Sequence, residues 1–169
     1  DTNVEALVFD FNHFYGNANS VLISPGWYHS EARIIKNSIR SYAPDGLFWL
    51  VLDSNKKGRY PRSKHTGVTC YHYGWVRSED EMNLKSNHVN KYWGAEPVLI
   101  NYSEMDQSII ELFEGEHPQV VADWIPKVDG LYNANSNYKT TLKQKKHRIM
   151  IKLEKIFDLD LSKKHYKLI

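Results

Sequence analysis

Apolar positions along the first half of the chain gather into short dense runs, and in the second half they spread to helical spacing. EALVFDF, from Glu5 to Phe11, reads as a strand within a few residues of the first position. SPGWY supplies turn residues, with Pro25 suited to a turn or to the first turn of a helix. ARIIKN is a short apolar run, and LFWLVLD reads as a buried strand. The polar stretch DSNKKGRYPRSKHTG then forms a long basic loop that returns to GVTCYHY, a hairpin-like excursion.

After Arg77 the period changes. Ser78 with Glu81 three residues on makes a capping-box start, and Met82, Lys85, Val89 and Tyr92 follow at helical spacing. Ser103 to Phe113 is a second predicted helix, ended by Gly115. Pro118 opens a short helix with Val121, Trp124 and Ile125 on one side, stopped by Pro126. DGLYNANSNY is rich in turn residues and reads as a linker. TLKQKKHRIMIKLEKIF then places Leu142, Ile149, Leu153 and Ile156 along one face of a basic amphipathic helix. Strands first and helices after is an α+β profile, or the later part of an α/β fold.

Composition narrows this picture only a little. A chain of 169 residues is the size of one domain, and 41% hydrophobic with 25% charged residues is ordinary for a soluble protein. The aromatic share, 13%, is high, and Trp and Tyr are common where a pocket holds a ring or a sugar face. Cys70 is the only cysteine, so no internal disulfide forms, and it reads as a structural thiol. The opening DTNVEALVFDFNHF lacks the basic start and long apolar run of a secretory leader, and no stretch nears the ~20 apolar residues of a membrane span. The expectation is a cytoplasmic protein, at most peripheral on a membrane. The net charge is +2, but Lys139 to Ile169 holds ten Lys and Arg against Glu154, Asp158 and Asp160. Only this tail can act as a basic patch.

Candidate chemistry centres on YHYGWVR, Tyr71 to Arg77. His72 there is either a metal ligand or proton-handling group, or a half-buried strand histidine bonded to the backbone. No HExxH, CxxC or His-x-His spacing supports an autonomous metal site. In GWYHSEAR, Trp27, Glu31 and Arg33 offer a carboxylate between a ring and a cation, the elements of an oriented general base, or else a surface ion pair of little energetic weight. His13 and Tyr15, after the first strand, are placed for a pocket wall or for turn aromatics over the core. DLD at Asp158 to Asp160 has the D-x-D spacing but ends a basic helix, and reads as solvated carboxylates. GxGxxG, Walker A and GxSxG patterns are missing, which argues against dinucleotide, P-loop and α/β-hydrolase chemistry.

Taken in order, VEALVFDFNHFYG, GWYHSEARIIKNSIRSY, YHYGWVRSEDEM and FEGEHPQVV resemble the downstream half of bacterial family 2 glycosyltransferases of GT-A fold, over about residues 1–126. The resemblance implies transfer of a sugar from a nucleotide-sugar to a hydroxyl acceptor, a glycan, lipopolysaccharide, lipid-linked acceptor or glycoprotein, usually with inversion. It implies a divalent cation, Mn or Mg, with His72 as one ligand, Glu31 as the acceptor-activating acid, and Arg33 beside that acid or the diphosphate. Trp27, His13, Tyr71, Tyr73 and Trp75 would shape the sugar or acceptor pocket. The nucleotide-binding half and its D-x-D motif would precede the strand that opens this chain, so the chain alone is expected to be an incomplete, inactive fragment. APDGLFWL stands where the family tends to carry an Asp-Ala-Gln-Gly-like stretch, a departure at the acceptor loop around Asp45 and Gly46.

The expected organisation is an acceptor-side part over 1–126, a linker over 127–138 and a basic amphipathic helix over 139–169. A second reading is a non-catalytic module whose basic helix touches a membrane surface or, as the weaker partner, nucleic acid.

Overall fold

The computed structural model describes residues 3–44, 46–96, 98–128, 135 and 137–169, with the side chain of Trp93 outside that set. Most of the DGLYNANSNY linker and the loop residue Asp45 lie outside the described residues. In chain order the elements are β1 (Ala6–Tyr15), β2 (Ser20–Leu22), β3 (Ser30–Ile35), β4 (Ser41–Tyr42), β5 (Leu50–Leu52), β6 (Gly58–Arg59) and β7 (Arg62–Trp75). There follow α1 (Glu79–Trp93), β8 (Ile110–Leu112), α2 (Ile125–Val128), α3 (Leu142–Phe157) and β9 (Lys167–Leu168). The content is mixed α and β, strands dominate the first half, and β8 and β9 return late in the chain. The chain forms two compact units, one of Asp1–Asn12, Pro25–Cys70 and Asp160–Ile169, the other of His13–Ser24 and Tyr71–Leu159.

In the first unit β3 lies antiparallel on β1, pairing Ala6 with Ile35 and Asp10 with Ser30, with a register slip between Leu7 and Val8. The backbone N–H of Glu5 donates to the Arg62 carbonyl and the Thr66 hydroxyl to the Val8 carbonyl, so β7 runs beside β1 in the same direction. β9 continues this edge, parallel to β7. The core is small: Ala6, Val8, Ala32 and Tyr166, with Ile35 against them. The Tyr166 hydroxyl is satisfied by Ser30 Oγ at 2.5 Å, as a buried phenol must be. β4, β5 and β6 form a separate meander, turned at Asp53, whose carboxylate accepts the N–H groups of Asn55 and Lys57.

In the second unit the end of β1 pairs with β2 (Phe14 with Val21), and β2 pairs with β8. Phe14, Ala18, Val76 and Val128 are its buried centre, ringed by Tyr71, Tyr73, Phe113 and Trp124. α1 starts where the sequence predicts: the Ser78 hydroxyl accepts the Glu81 N–H and the Glu81 carboxylate accepts the Ser78 N–H. Gly94 closes it at φ 65, a conformation that costs a residue with a Cβ. α3 repeats the device with Thr141 and Gln144.

Several elements differ from expectation. Ser103 to Phe113 is two single 3₁₀ turns and then β8. The Asn101 side-chain Oδ1 takes the Ser103 N–H and the Asp106 carboxylate takes the Ser108 N–H, local bonds that compete with a helix, and the β-branched pair Ile109–Ile110 then leads into a strand. Pro126 sits inside α2 rather than stopping it, because a first-turn residue needs no N–H partner. LFWLVLD yields only β5, with Val51 its buried residue. β7 starts five residues before GVTCYHY and runs for 14 residues, so the basic excursion is shorter than its composition implies. His13 and Tyr15 stand within β1 rather than after it. The tail is a helix only to Phe157; Asp158 caps it at φ 52, and the chain ends with β9.

Candidate functional site

β7 carries YHYGW along the second unit and sorts its side chains by what they meet. Tyr71 and Tyr73 stack on Phe14, at 6.1 and 4.6 Å between centroids, and Phe113 meets Phe14 edge-on at 5.0 Å. Trp124 meets Tyr73 edge-on at 5.4 Å. The Tyr73 hydroxyl bonds His117 Nδ1 at 2.8 Å. Burial pushes the Tyr73 phenol up and the His117 imidazole down, so the neutral forms of both are favoured and the phenol donates.

His72 meets a different partner. Its Nδ1 lies 3.0 Å from Nδ1 of His13, with the rings edge-on at 5.1 Å, and His13 is 1% exposed. One ring donates and the other accepts, so the contact holds one proton between two nitrogens. Gly74 belongs to this arrangement: a Cβ there would lie 2.7 Å from His72 Nε2, so any side chain at 74 displaces the ring. Trp75 stacks on Tyr15 at 5.5 Å, and its carbonyl accepts the Tyr102 hydroxyl at 2.9 Å.

Beside these rings, still in the second unit, a cavity of about 410 Å³ is lined by Tyr73, Gly74, Val76, Arg77, Glu81, Trp124 and Val128. Two ring systems, one guanidinium and one carboxylate face this space, whose volume is in the range of small-molecule pockets. Lys85 spans the cavity's Gly74 by donating to its carbonyl at 2.9 Å; burial and then Arg77 lower its ammonium's pKa.

Glu31, Arg33 and Trp27 belong to the first unit, and there Glu31 and Arg33 go separate ways. Glu31 is 1% exposed; Oε1 accepts the Ala32 N–H at 2.9 Å and Oε2 pairs with His165 Nδ1 at 2.6 Å. The His165 ring is stacked on Phe48 at 4.2 Å and met edge-on by Tyr60. Arg33 donates to the Tyr28 hydroxyl (2.6 Å) and the Leu47 carbonyl (2.8 Å), and its guanidinium lies over the rings of Phe11 and Tyr28. The expected pairing of Arg33 with Glu31 is therefore replaced by hydroxyl, carbonyl and π partners. Trp27 is half-buried before β3.

Asp160 is exposed, as expected of DLD, and it also pairs with His29 (3.2 Å) and Lys164 and accepts the Ser162 N–H. These groups hold its pKa down against burial. Cys70 is half-buried, and burial raises its thiol, which suits a structural role.

The fit to a divalent cation was expected at His72. Among the described residues, no cluster of three or more acidic, histidine or cysteine side chains includes His72. Its near neighbour is a second imidazole, whereas Mg and Mn ions take several oxygen ligands. These residues do not by themselves make such a site.

His165, His117 and Trp124 were not singled out as site residues by sequence. His165 is 134 positions from Glu31, and no spacing rule links them. Comparison of the chain with family models, with curated proteins and with solved structures gives no match.

Proposed function

We propose that this chain carries the acceptor-side part of a GT-A, family 2-like glycosyltransferase that moves a sugar from a nucleotide-sugar to a hydroxyl of a glycan or lipid-linked acceptor. The carrying observation is the 410 Å³ cavity at YHYGWVR, where the Tyr73 and Trp124 rings offer apolar faces to a sugar and Arg77 and Glu81 offer hydrogen bonds to its hydroxyls. The four ordered stretches that resemble family 2 enzymes support the same reading.

In the proposed reaction the acceptor oxygen attacks the anomeric carbon, the bond to the diphosphate breaks, and the nucleoside diphosphate leaves as the acceptor proton passes to a base. Inversion follows from a single displacement. The resemblance gives the proton to Glu31, but that carboxylate is closed by Ala32 and His165. Glu31 and its His165 partner belong to the first unit, and there the carboxylate holds the imidazole in place. His72 and His13 hold the strand carrying the pocket, and no step uses a metal. The experiment is a screen of UDP-, GDP- and dTDP-sugars with saccharide acceptors, run on the protein from the complete reading frame. Sugar transfer that falls at least about tenfold in Trp124→Ala supports the assignment of the cavity. Transfer unchanged in Trp124→Ala removes the cavity from the mechanism.

A further inference from the structure

α3 packs through Ile151, His147, Arg148 and Lys155. Ile151 is buried, His147 Nδ1 meets Ser24 Oγ at 2.9 Å, and Arg148 donates twice to the buried Asp106 carboxylate at 2.7 Å. Lys155 forms an ion pair with Glu111. At ~100° per residue, Leu142, Ile149, Leu153, Ile156 and Phe157 fall within an arc of about 100° on the opposite side. Their exposures are 84, 60, 39, 72 and 62%. The apolar stripe of this helix is thus turned away from the unit that carries it.

Lysines frame the stripe. Lys145, Lys146 and Lys152 lie within or beside that arc, and none has a carboxylate partner among the described residues. Glu154 is the single acid in the helix, and it points to the flank. Among the described residues no helix is long and apolar enough to cross a membrane.

We propose that α3 is a docking surface for an anionic lipid bilayer, lying in the plane of the interface. The five apolar side chains enter the boundary between headgroups and acyl chains, and the framing lysines meet acidic headgroups. This partner goes beyond the transfer reaction and does not depend on it. Charge complementarity favours an anionic partner, and the stripe decides which: a nucleic-acid backbone would satisfy the lysines but leave five apolar side chains in water.

The test is co-flotation of the 169-residue chain with vesicles of phosphatidylcholine alone and of phosphatidylcholine mixed with phosphatidylglycerol. Two triple variants go with it, Ile149→Asp/Leu153→Asp/Ile156→Asp and Lys145→Glu/Lys146→Glu/Lys152→Glu. All six positions are exposed, so the helical circular dichroism should be kept. The expected result is binding to the mixed vesicles, little to the neutral ones, and a loss of more than about tenfold in each variant. Failure of the parent chain to bind mixed vesicles, equal binding to neutral vesicles, or either variant binding like the parent overturns the proposal. So does a dimer in sedimentation that the aspartate variant dissociates without vesicle binding, which would give the stripe to a second copy. Duplex DNA binding that survives the aspartate variant, without vesicle binding, would give the lysines to nucleic acid.

Discussion

The two units close their interiors by different means. The first has a small aliphatic core of Ala6, Val8 and Ala32 with Tyr166, and beside it buries two carboxylates, Glu5 and Glu31. Glu5 is gripped by Arg59 through two bonds of 2.6 and 2.7 Å and by Arg62 at 3.1 Å; the Arg59 hydrogen bond leads in lowering its pKa to about 2. At the centre of the second unit lies a stack of rings around Phe14, which is fully buried. A thin apolar core leans on charge, and charge answers to pH; stacked rings lean on shape, and shape answers to truncation. The candidate site lies with the rings, where aromatic faces are available to a ligand.

The largest effect should come from Phe14→Ala. It removes the ring shared by Tyr71, Tyr73 and Phe113 and should cost about 3–5 kcal/mol in denaturant unfolding, with little change between pH 7 and pH 4. A cost below about 1 kcal/mol would mean that the stack does not hold the unit.

Next comes Glu5→Gln, at about 2 kcal/mol, less than for a fully buried pair because Arg59 and Arg62 are half-exposed and regain water. The sign with pH follows from the depressed pKa. Glu5 stabilises fully above its ordinary value of 4.5, and the contribution is lost as pH falls through the folded value of about 2. Protection of the β1 and β3 amides, taken relative to the intrinsic exchange rate at each pH, should therefore fall between those values in the parent chain, and that response should be blunted in Glu5→Gln. An unchanged acid response in the variant would break the contrast between the units.

Gly74→Ala should be milder, about 1–3 kcal/mol, and local. The added Cβ must push the His72 ring from its contact with His13, and the histidine ring resonances of both should shift in NMR spectra. Unmoved resonances would show that the rings have room to spare.

What could be read from the sequence was local. The capping box at Ser78 marks its helix start because cap and backbone donor lie three residues apart. The strand character of EALVFDF was visible for the same reason. Ser103 to Phe113 misled because apolar spacing there competes with Asn101 and Asp106, whose side chains take the backbone bonds a helix needs. The candidate site was half legible. Tyr71, Tyr73 and His72 were singled out within YHYGWVR, but their partners Phe14, His117 and His13 come from distant segments. The apolar face of α3 was plain from spacing, whereas its outward direction depends on Asp106, Ser24 and Glu111, which the helix's own sequence does not contain.

The central claim is that the cavity between Tyr73 and Trp124 receives a sugar, and saccharide binding to the 169-residue chain tests it most directly. Ligand-observed NMR with a panel of neutral oligosaccharides should show saturation transfer to ring protons of the sugar. Trp124→Ala should abolish that transfer while lowering stability by only about 1 kcal/mol, since the indole is half-buried. Saturation transfer that persists undiminished in a folded Trp124→Ala chain, or none from the parent chain to any saccharide, would contradict the account.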